Sequence, residues 1–383
     1  MIPNTYASLD IWDFYTKLVI RSYNGEKLDI LFAKKAPTKG VVNGEVVSKG
    51  EANATINYLL READKYGLPV DEVILVLPNK SLNVYRKKAN IVLPYNSSKQ
   101  ITNAEIAQLR DACMKHKIQP NDIVIGIEDI LYSLDGRSYD KKPPIGYNGN
   151  SISLDAYVYT IKEDIVNELS DLLDDVHVKI KKVVINSVAC ATAFLTEEEI
   201  SRGAYIVDIG ATTNNISFFK DGLLSDFKEG KLGGNYISYY MSQLLEISSE
   251  EAEECKVKYG NAKQDNTSNI VLFNASNGKK LTERMIATAI EEAVDNIIKD
   301  INHTKELMLI DNADNYPMLI VGGTSSIYNL EDKLQKDITN KVIVRHKTTF
   351  GARNNVYIAA VGAVNNYLKH FQKGVIIDGW NND

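Results

Sequence analysis

Three short stretches carry residue types whose spacing could do chemistry. In Asp208-Ile209-Gly210-Ala211-Thr212-Thr213, an apolar run delivers a carboxylate into a glycine turn followed by two hydroxyls. Such a turn can cradle phosphate, with its backbone N–H groups and threonine hydroxyls on the phosphate oxygens. Asp208 would then hold Mg²⁺ through water, since that ion keeps several of its own waters. The same residues also suit an ordinary hairpin turn. Glu253 and Lys256 lie three apart on a helical stretch, where both could reach ribose hydroxyls. They equally suit a surface ion pair worth about 0.2–0.5 kcal/mol. Gly322-Gly323-Thr324-Ser325 follows an apolar strand. Glycines there admit a ring or phosphate to the backbone, or simply make a tight strand-to-helix turn.

Other chemistries lack their residues. The five histidines (His116, His177, His303, His346, His370) form no HExxH pattern and no metal-ligand spacing with cysteine. There is no GxSxG elbow and no GxxxxGK[ST] loop, which disfavours a hydrolase triad and a P-loop nucleotidase. Three separated cysteines (Cys113, Cys190, Cys255) without a CxxC pair argue against a zinc ribbon or disulfide framework and for a reducing cytoplasm. The net charge of −6 gives no basis for general nucleic-acid binding.

The elements that must position these residues alternate between strand and helix, the rhythm of an α/β protein. The 383 residues exceed one ordinary core, and 44% hydrophobic with 25% charged residues is ordinary soluble composition. Strands are expected at Ser8–Ile11, Lys17–Ser22 and Leu28–Ala33, with a helix over Glu51–Tyr66 and a buried strand at Val73–Leu77. From Ser81 to about Tyr159 short strands surround one helix, Asn103–Lys115, capped by Thr102 with Glu105 at capping-box spacing. The α/β rhythm resumes with helix Glu163–Asp174, strand Val178–Ile185 and a helix from about Ser187. Strands follow at Ala204–Ile209 and Asn215–Phe219, the latter turning at Asp221-Gly222. Helix Thr282–Ile301, strand Met318–Val321 and helix Val356–Phe371 complete the outline. No sequence repeat is evident, yet both halves carry a strand ending near an aspartate, Asp10 and Asp208. Met1–Asp10 shows no signal peptide, and the longest uncharged apolar run, roughly Val183–Leu195, is too short to span a bilayer.

Order and spacing say more than any single stretch. Asp-x-Gly-x-Thr-Thr, then Gly233-Gly234-Asn235, then Ala-Glu-x-x-Lys with Gly260, then Gly322-Gly323 resembles the actin-like ATPase superfamily, and within it the bacterial division family FtsA. Lys39–Gly44 resembles that family's segment before its first helix, and Ser187–Glu199 its stretch leading into the second aspartate strand. The resemblance spans about Ser8 to Tyr367. It implies an actin-like, ribonuclease-H-like two-domain fold. The first domain would comprise residues 1–78, 159–200 and 350–383, with an FtsA-type α+β insertion at 79–158. The second would comprise 201–233 and 313–349, with a small lobe at 234–312. It further implies ATP or ADP with Mg²⁺ in the cleft. Asp208, Gly210, Thr212 and Thr213 would form the second phosphate hairpin, followed by Gly233 and Gly234. Glu253 and Lys256 would hold the ribose, and Gly322, Gly323, Thr324 and Ser325 would flank the adenine. Asp10, Thr16 and Lys17 match the first phosphate hairpin if two residues are inserted, with Asp10 and Asp208 reaching Mg²⁺ through water. FtsA proteins form head-to-tail filaments, bind the tail of the tubulin-like FtsZ and tether it to the membrane. The implied location is therefore cytoplasmic, peripheral on the membrane at the division site, with the partner surface in the small lobe at roughly 234–312.

Three departures from that pattern matter. In the first hairpin, Trp12-Asp13-Phe14-Tyr15 replaces glycine with bulk and adds a carboxylate, removing backbone donors for a γ-phosphate. Where the superfamily carries a glutamate, this chain has Asn186 or Ser187, so weak or absent hydrolysis is expected. The end, Lys369 to Trp380, makes a poor membrane helix, so the tether would come from a partner or a further segment. The nearest alternative is a PilM-like pilus-assembly adaptor, against which the Ser187–Glu199 stretch argues. A sugar or acetate kinase is disfavoured by the altered first hairpin, and a pseudo-ATPase scaffold by Glu253 and Lys256.

Overall fold

The computed structural model describes residues 4–12, 14–42, 44–93, 100–115, 119–265, 267–345 and 355–372. Asp13, Asn43, His116, His346 and the tail from Lys373 to Trp380, all used above, lie outside them.

The chain opens with β1 (Thr5–Ile11), β2 (Tyr15–Tyr23) and β3 (Leu28–Pro37), then β4 (Val41–Val42), β5 (Glu45–Val46), α1 (Lys49–Asp64) and β6 (Glu72–Leu77). A run of β7 (Asn83–Val92), α2 (Asn103–Lys115), β8 (Asp122–Leu134), β9 (Arg137–Ser138) and β10 (Ser151–Lys162) follows. Next come α3 (Glu163–Asp175), β11 (Lys179–Ile185), α4 (Asn186–Phe194) and α5 (Glu197–Arg202). The second half holds β12 (Ala204–Ile209), β13 (Asn214–Lys220), β14 (Leu223–Glu229), α6 (Gly234–Leu245), α7 (Ser249–Tyr259), β15 (Val271–Asn274), β16 (Lys280–Thr282) and α8 (Glu283–Glu306). It closes with β17 (Met318–Val321), α9 (Leu330–Asp337), β18 (Val342–Val344) and α10 (Ile358–Gln372).

The two halves build the same sheet. One is ordered β11-β6-β1-β2-β3, the other β18-β17-β12-β13-β14. Each has an antiparallel three-strand meander whose first strand pairs in parallel with a later strand, Asp10 beside Val76 and Asp208 beside Val321. The Asp221-Gly222 turn takes two positive φ values, 54° and 86°, the type I′ geometry that suits strand twist. The repeat is invisible in residue identity because a sheet needs only apolar residues of the right parity, not particular ones.

Two helices run between the sheets. Helix α4 packs Ala191, Ala193 and Phe194 with Ile206, Leu319 and Val321 of the second sheet, and Ala189 and Cys190 with Ile74 and Val76 of the first. Helix α10 adds Ala359 and Ala363 to the first-sheet contact. Small residues let the helices close in: a Cβ on Gly362 would stand 1.9 Å from the carbonyl oxygen of Ala189. The block from β7 to β10 forms its own antiparallel sheet, ordered β7-β10-β8-β9, with α2 and a separate core around Leu109, Tyr132 and Ile152. Here two expected short pieces, Asn83–Tyr85 and Ile91–Leu93, prove to be one strand, because Arg86-Lys87-Lys88 sits on an edge strand whose long pairing with β10 carries the charges outward. Thr102 and Glu105 make the expected reciprocal cap, the Thr102 N–H donating to the Glu105 carboxylate at 2.9 Å. The Tyr159 hydroxyl docks the block on the second sheet by donating to the Leu224 carbonyl at 2.8 Å.

The packing makes opposite predictions for two glycines. Gly362→Ala should lower stability by about 1–3 kcal/mol, since backbone lies where its Cβ must go. Gly50→Ala, on the exposed first turn of α1 with open space around it, should raise stability by about 0.5–1 kcal/mol. Calorimetric melting of both variants checks the pair.

Candidate functional site

Both aspartates sit at the carboxyl ends of their strands, where open α/β sheets gather ligands. Across β1 and β2, Asp10 pairs in register with Lys17, and the Lys17 ammonium donates to the Asp10 carboxylate at 2.8 Å. Both side chains are almost wholly buried. Asp208 faces this pair across the cleft. Burial pushes its pKa up to about 6, Lys17 draws it down, and Asp10 pushes it further up. Cys190 of α4 lies beneath all three, its thiol held protonated by burial and by both carboxylates.

The second hairpin is built for close approach. Asp208 opposes Asn215 and Ile209 opposes Asn214, leaving Gly210–Thr213 as the loop. Helix α6 begins against it: the N–H of Gly234 donates to Gly210 at 2.8 Å and that of Asn235 to Ala211 at 2.7 Å. In a trans peptide the N–H points opposite its carbonyl, so the N–H groups of Ala211 and Thr212 are turned away from the helix. Neither has a backbone partner among the described residues. Only glycine fits at 233, where a Cβ would fall 2.6 Å from the Ala211 oxygen and 2.7 Å from the Thr213 nitrogen.

Gly322 and Gly323 have different surroundings. Gly322 adopts φ 92°, and a Cβ there would meet the Asp208 carboxylate at 2.4 Å. Gly323 faces open space, room for a flat group beside the 3₁₀ turn Gly323–Ser326. The hydroxyl of Thr324 donates to the Gly210 carbonyl at 3.3 Å and that of Ser325 to Gly322 at 2.7 Å, tying this turn to the hairpin. On α7, Lys256 donates to Glu253 at 2.5 Å, to the Gly234 carbonyl at 2.9 Å and to the Ser238 hydroxyl at 2.9 Å. The Glu253–Lys256 pair is therefore a strut to the start of α6, while the Glu253 side chain remains 41% exposed.

Hairpin, glycine turn and α7 strut thus surround one cleft edge, and Asp10 with Lys17 closes the far side. Thr16 is placed differently. It shares a sheet face with Ile11, its register partner in the apolar core, and its hydroxyl pairs with that of Thr38 at 2.9 Å. Ile11 opposes Thr16 in the first hairpin as Ile209 opposes Asn214 in the second.

Two residues escaped the sequence reading. Ser238 follows Gly234 by one helical turn, a spacing that required seeing α6. Asn215 stands where Lys17 stands in the first sheet, opposite the aspartate. It is buried, and its side-chain oxygen has no hydrogen-bond partner among the described residues. An acceptor left so beside Asp208 fits a hydrated cation, whose waters donate. Among the described residues no three metal-ligating side chains cluster, so a cation here would rest on the two aspartates, water and a ligand's own oxygens.

The raised Asp208 pKa sets a pH dependence. A carboxyl that holds its proton better folded than unfolded gives stability that is present below the unfolded pKa and lost as pH rises through about 6. Asp208→Asn should therefore melt higher than the parent chain at about pH 8, with the gap narrowing toward about pH 5. Scanning calorimetry across that range tests it.

Comparison with known proteins extends this geometry. The family model Cell division protein FtsA matches residues 205–362, the stretch that holds the second hairpin, the strut and the glycine turn. The cell division protein FtsA of Bacillus subtilis is 23% identical over 367 residues, 94% of this chain and 82% of that protein. FtsA of Enterococcus faecalis is 24% identical over 369 residues, again 94% and 82%. Among solved structures, a PilM-PilN type IV pilus biogenesis complex aligns at TM-score 0.62 and 16% identity, covering 97% of this chain and 98% of that one. MreB5 of Spiroplasma citri bound to ADP aligns at TM-score 0.57 and 12% identity, with 97% and 98% covered. At such identities the structures establish the actin-like fold, while the sequence relatives run the length of the chain. In sequence the chain is similar to FtsA proteins along 94% of its length, and one stretch of it matches their family model.

Proposed function

We propose that this chain is a nucleotide-binding, filament-forming adaptor of bacterial cell division. In this reading ATP or ADP with Mg²⁺ occupies the cleft and governs assembly. The adaptor binds the C-terminal tail of FtsZ and links it to the membrane, directly or through a partner. The observation that carries the reading is the meeting of the Gly210–Thr213 loop, the Gly233-Gly234 helix start, the Glu253–Lys256 strut and the Gly322-Gly323 turn around one cleft, with Asp208 facing Asp10 and Lys17. Phosphate oxygens would take the free N–H groups of Ala211 and Thr212. Glu253 would accept from ribose hydroxyls, and the base would lie along Gly323. The cation would be held through its waters by Asp208, Asp10 and the Asn215 oxygen, supplying charge that offsets the phosphates.

Hydrolysis is expected to be weak or absent. The position of the superfamily's glutamate falls at the start of α4. There Asn186 takes a long contact from the Cys190 thiol at 3.5 Å, and Ser187 shares a 2.6 Å hydrogen bond with Ser217. Neither an amide nor a hydroxyl so engaged is a base for water.

Calorimetric titration with ATP and Mg²⁺ should give saturable binding that Asp208→Ala and Lys256→Ala each reduce at least tenfold. Unchanged affinity in both variants, or no binding, removes the proposed site. An FtsZ tail peptide should retain the protein on a column where a pilus-protein tail does not.

A further inference from the structure

Helix α8 carries one carboxylate that gathers the segments behind the second hairpin. The helix buries Ile297, Ile298 and Ile301 in one core with Val207, Ile209 and Ile216 of the second sheet, which fixes where Asp300 stands. A single Asp300 oxygen, Oδ2, accepts three hydrogen bonds. They come from the Lys231 N–H at 2.7 Å, the Leu232 N–H at 3.0 Å and the side-chain amide of Asn214 at 2.7 Å. Hydrogen bonds to an ionised acceptor are roughly twice as strong as those between neutral groups.

The three donors belong to the two segments that make this edge of the cleft. Asn214 closes the second hairpin opposite Ile209, and Lys231-Leu232 lead into Gly233 and Gly234 at the start of α6. Asn214 ties the same segments again: its amide donates to the Leu232 carbonyl at 3.0 Å, and its backbone carbonyl accepts from the Gly230 N–H at 2.7 Å. Asn214 is wholly buried, and its side-chain oxygen has no hydrogen-bond partner among the described residues. Turning the amide over would set that oxygen against the Asp300 carboxylate, so the orientation kept is the one that holds the loop. The tolerance at this edge is small. Gly233 fits against Ala211 and Thr213 only because it lacks a Cβ, and the N–H groups of Gly234 and Asn235 must still reach Gly210 and Ala211.

We infer that Asp300 is a positioning residue for the nucleotide site. From α8 it sets residues 230–232, and through them the start of α6 against the Gly210–Thr213 loop. The inference rests on the nucleotide reading above and makes that site depend on a side chain of the long helix.

The test is calorimetric titration of the full chain and its variants with MgADP, at a temperature where circular dichroism shows each one folded. Asp300→Ala should weaken binding at least about fivefold, while Asp300→Asn, which keeps an accepting oxygen, should stay within about threefold of the parent. Lys305→Met is the control for stability. Lys305 is buried on the same helix and donates to Asp314 and Asn340 at 2.7 Å each, partners outside both segments. It should melt lower yet bind within about twofold of the parent. Asp300→Ala binding like the parent, or losing no more than Lys305→Met or Asp300→Asn, overturns the inference while leaving the nucleotide reading intact. No binding by the parent chain overturns both. If Asp300→Ala does not fold, Asp300→Glu, which keeps the charge and displaces the oxygen by one methylene, takes its place with the same readout.

Discussion

Two carboxylates and one ammonium meeting in a cleft, Asp10 and Lys17 buried and Asp208 half-buried, set the terms for the rest of this structure. Neither Asp10 nor Asp208 would be stable there alone, since a buried charge without a partner costs several kcal/mol. Lys17 balances one of them, and the other is left with a pKa raised to about 6. The surrounding glycines follow from that crowding: Gly322 stands against Asp208 because any side chain would displace the carboxylate.

The sheets explain how that arrangement is held. Each aspartate is the last outward residue of a strand flanked by an antiparallel and a parallel neighbour. Its position is therefore fixed by hydrogen bonds on both sides. Helix α4 then runs from the end of the first sheet beneath both hairpins, so that movement of one sheet against the other must pass through it and α10. The close approach of Gly362 to Ala189 packs that helix pair backbone against backbone.

Much of this was legible in the residues. The strands at 204–209 and 318–321, helix 103–115 and the capping box at Thr102 were marked by apolar runs and turn residues that leave little choice. Helix α6 was not, because its Gly233-Gly234 start reads as loop. The Ser238 contact to Lys256 was lost with it. The Thr16 hydroxyl illustrates a second limit: motif matching assigns a residue type, while strand parity decides which face it occupies. Asp10 with Lys17 and Asp208 with Asn215 stand in the same register across their hairpins, a likeness that residue identity does not reveal.

Hydrogen exchange with and without MgADP tests most directly whether the cleft formed by these elements is the ligand site. The account predicts slowed exchange confined to 208–213, the start of α6, residues 253–256 and 322–325, with the strand residues 15–17 unchanged. Protection centred on the β7–β10 block or the outer face of α8, or none at saturating nucleotide, would contradict it.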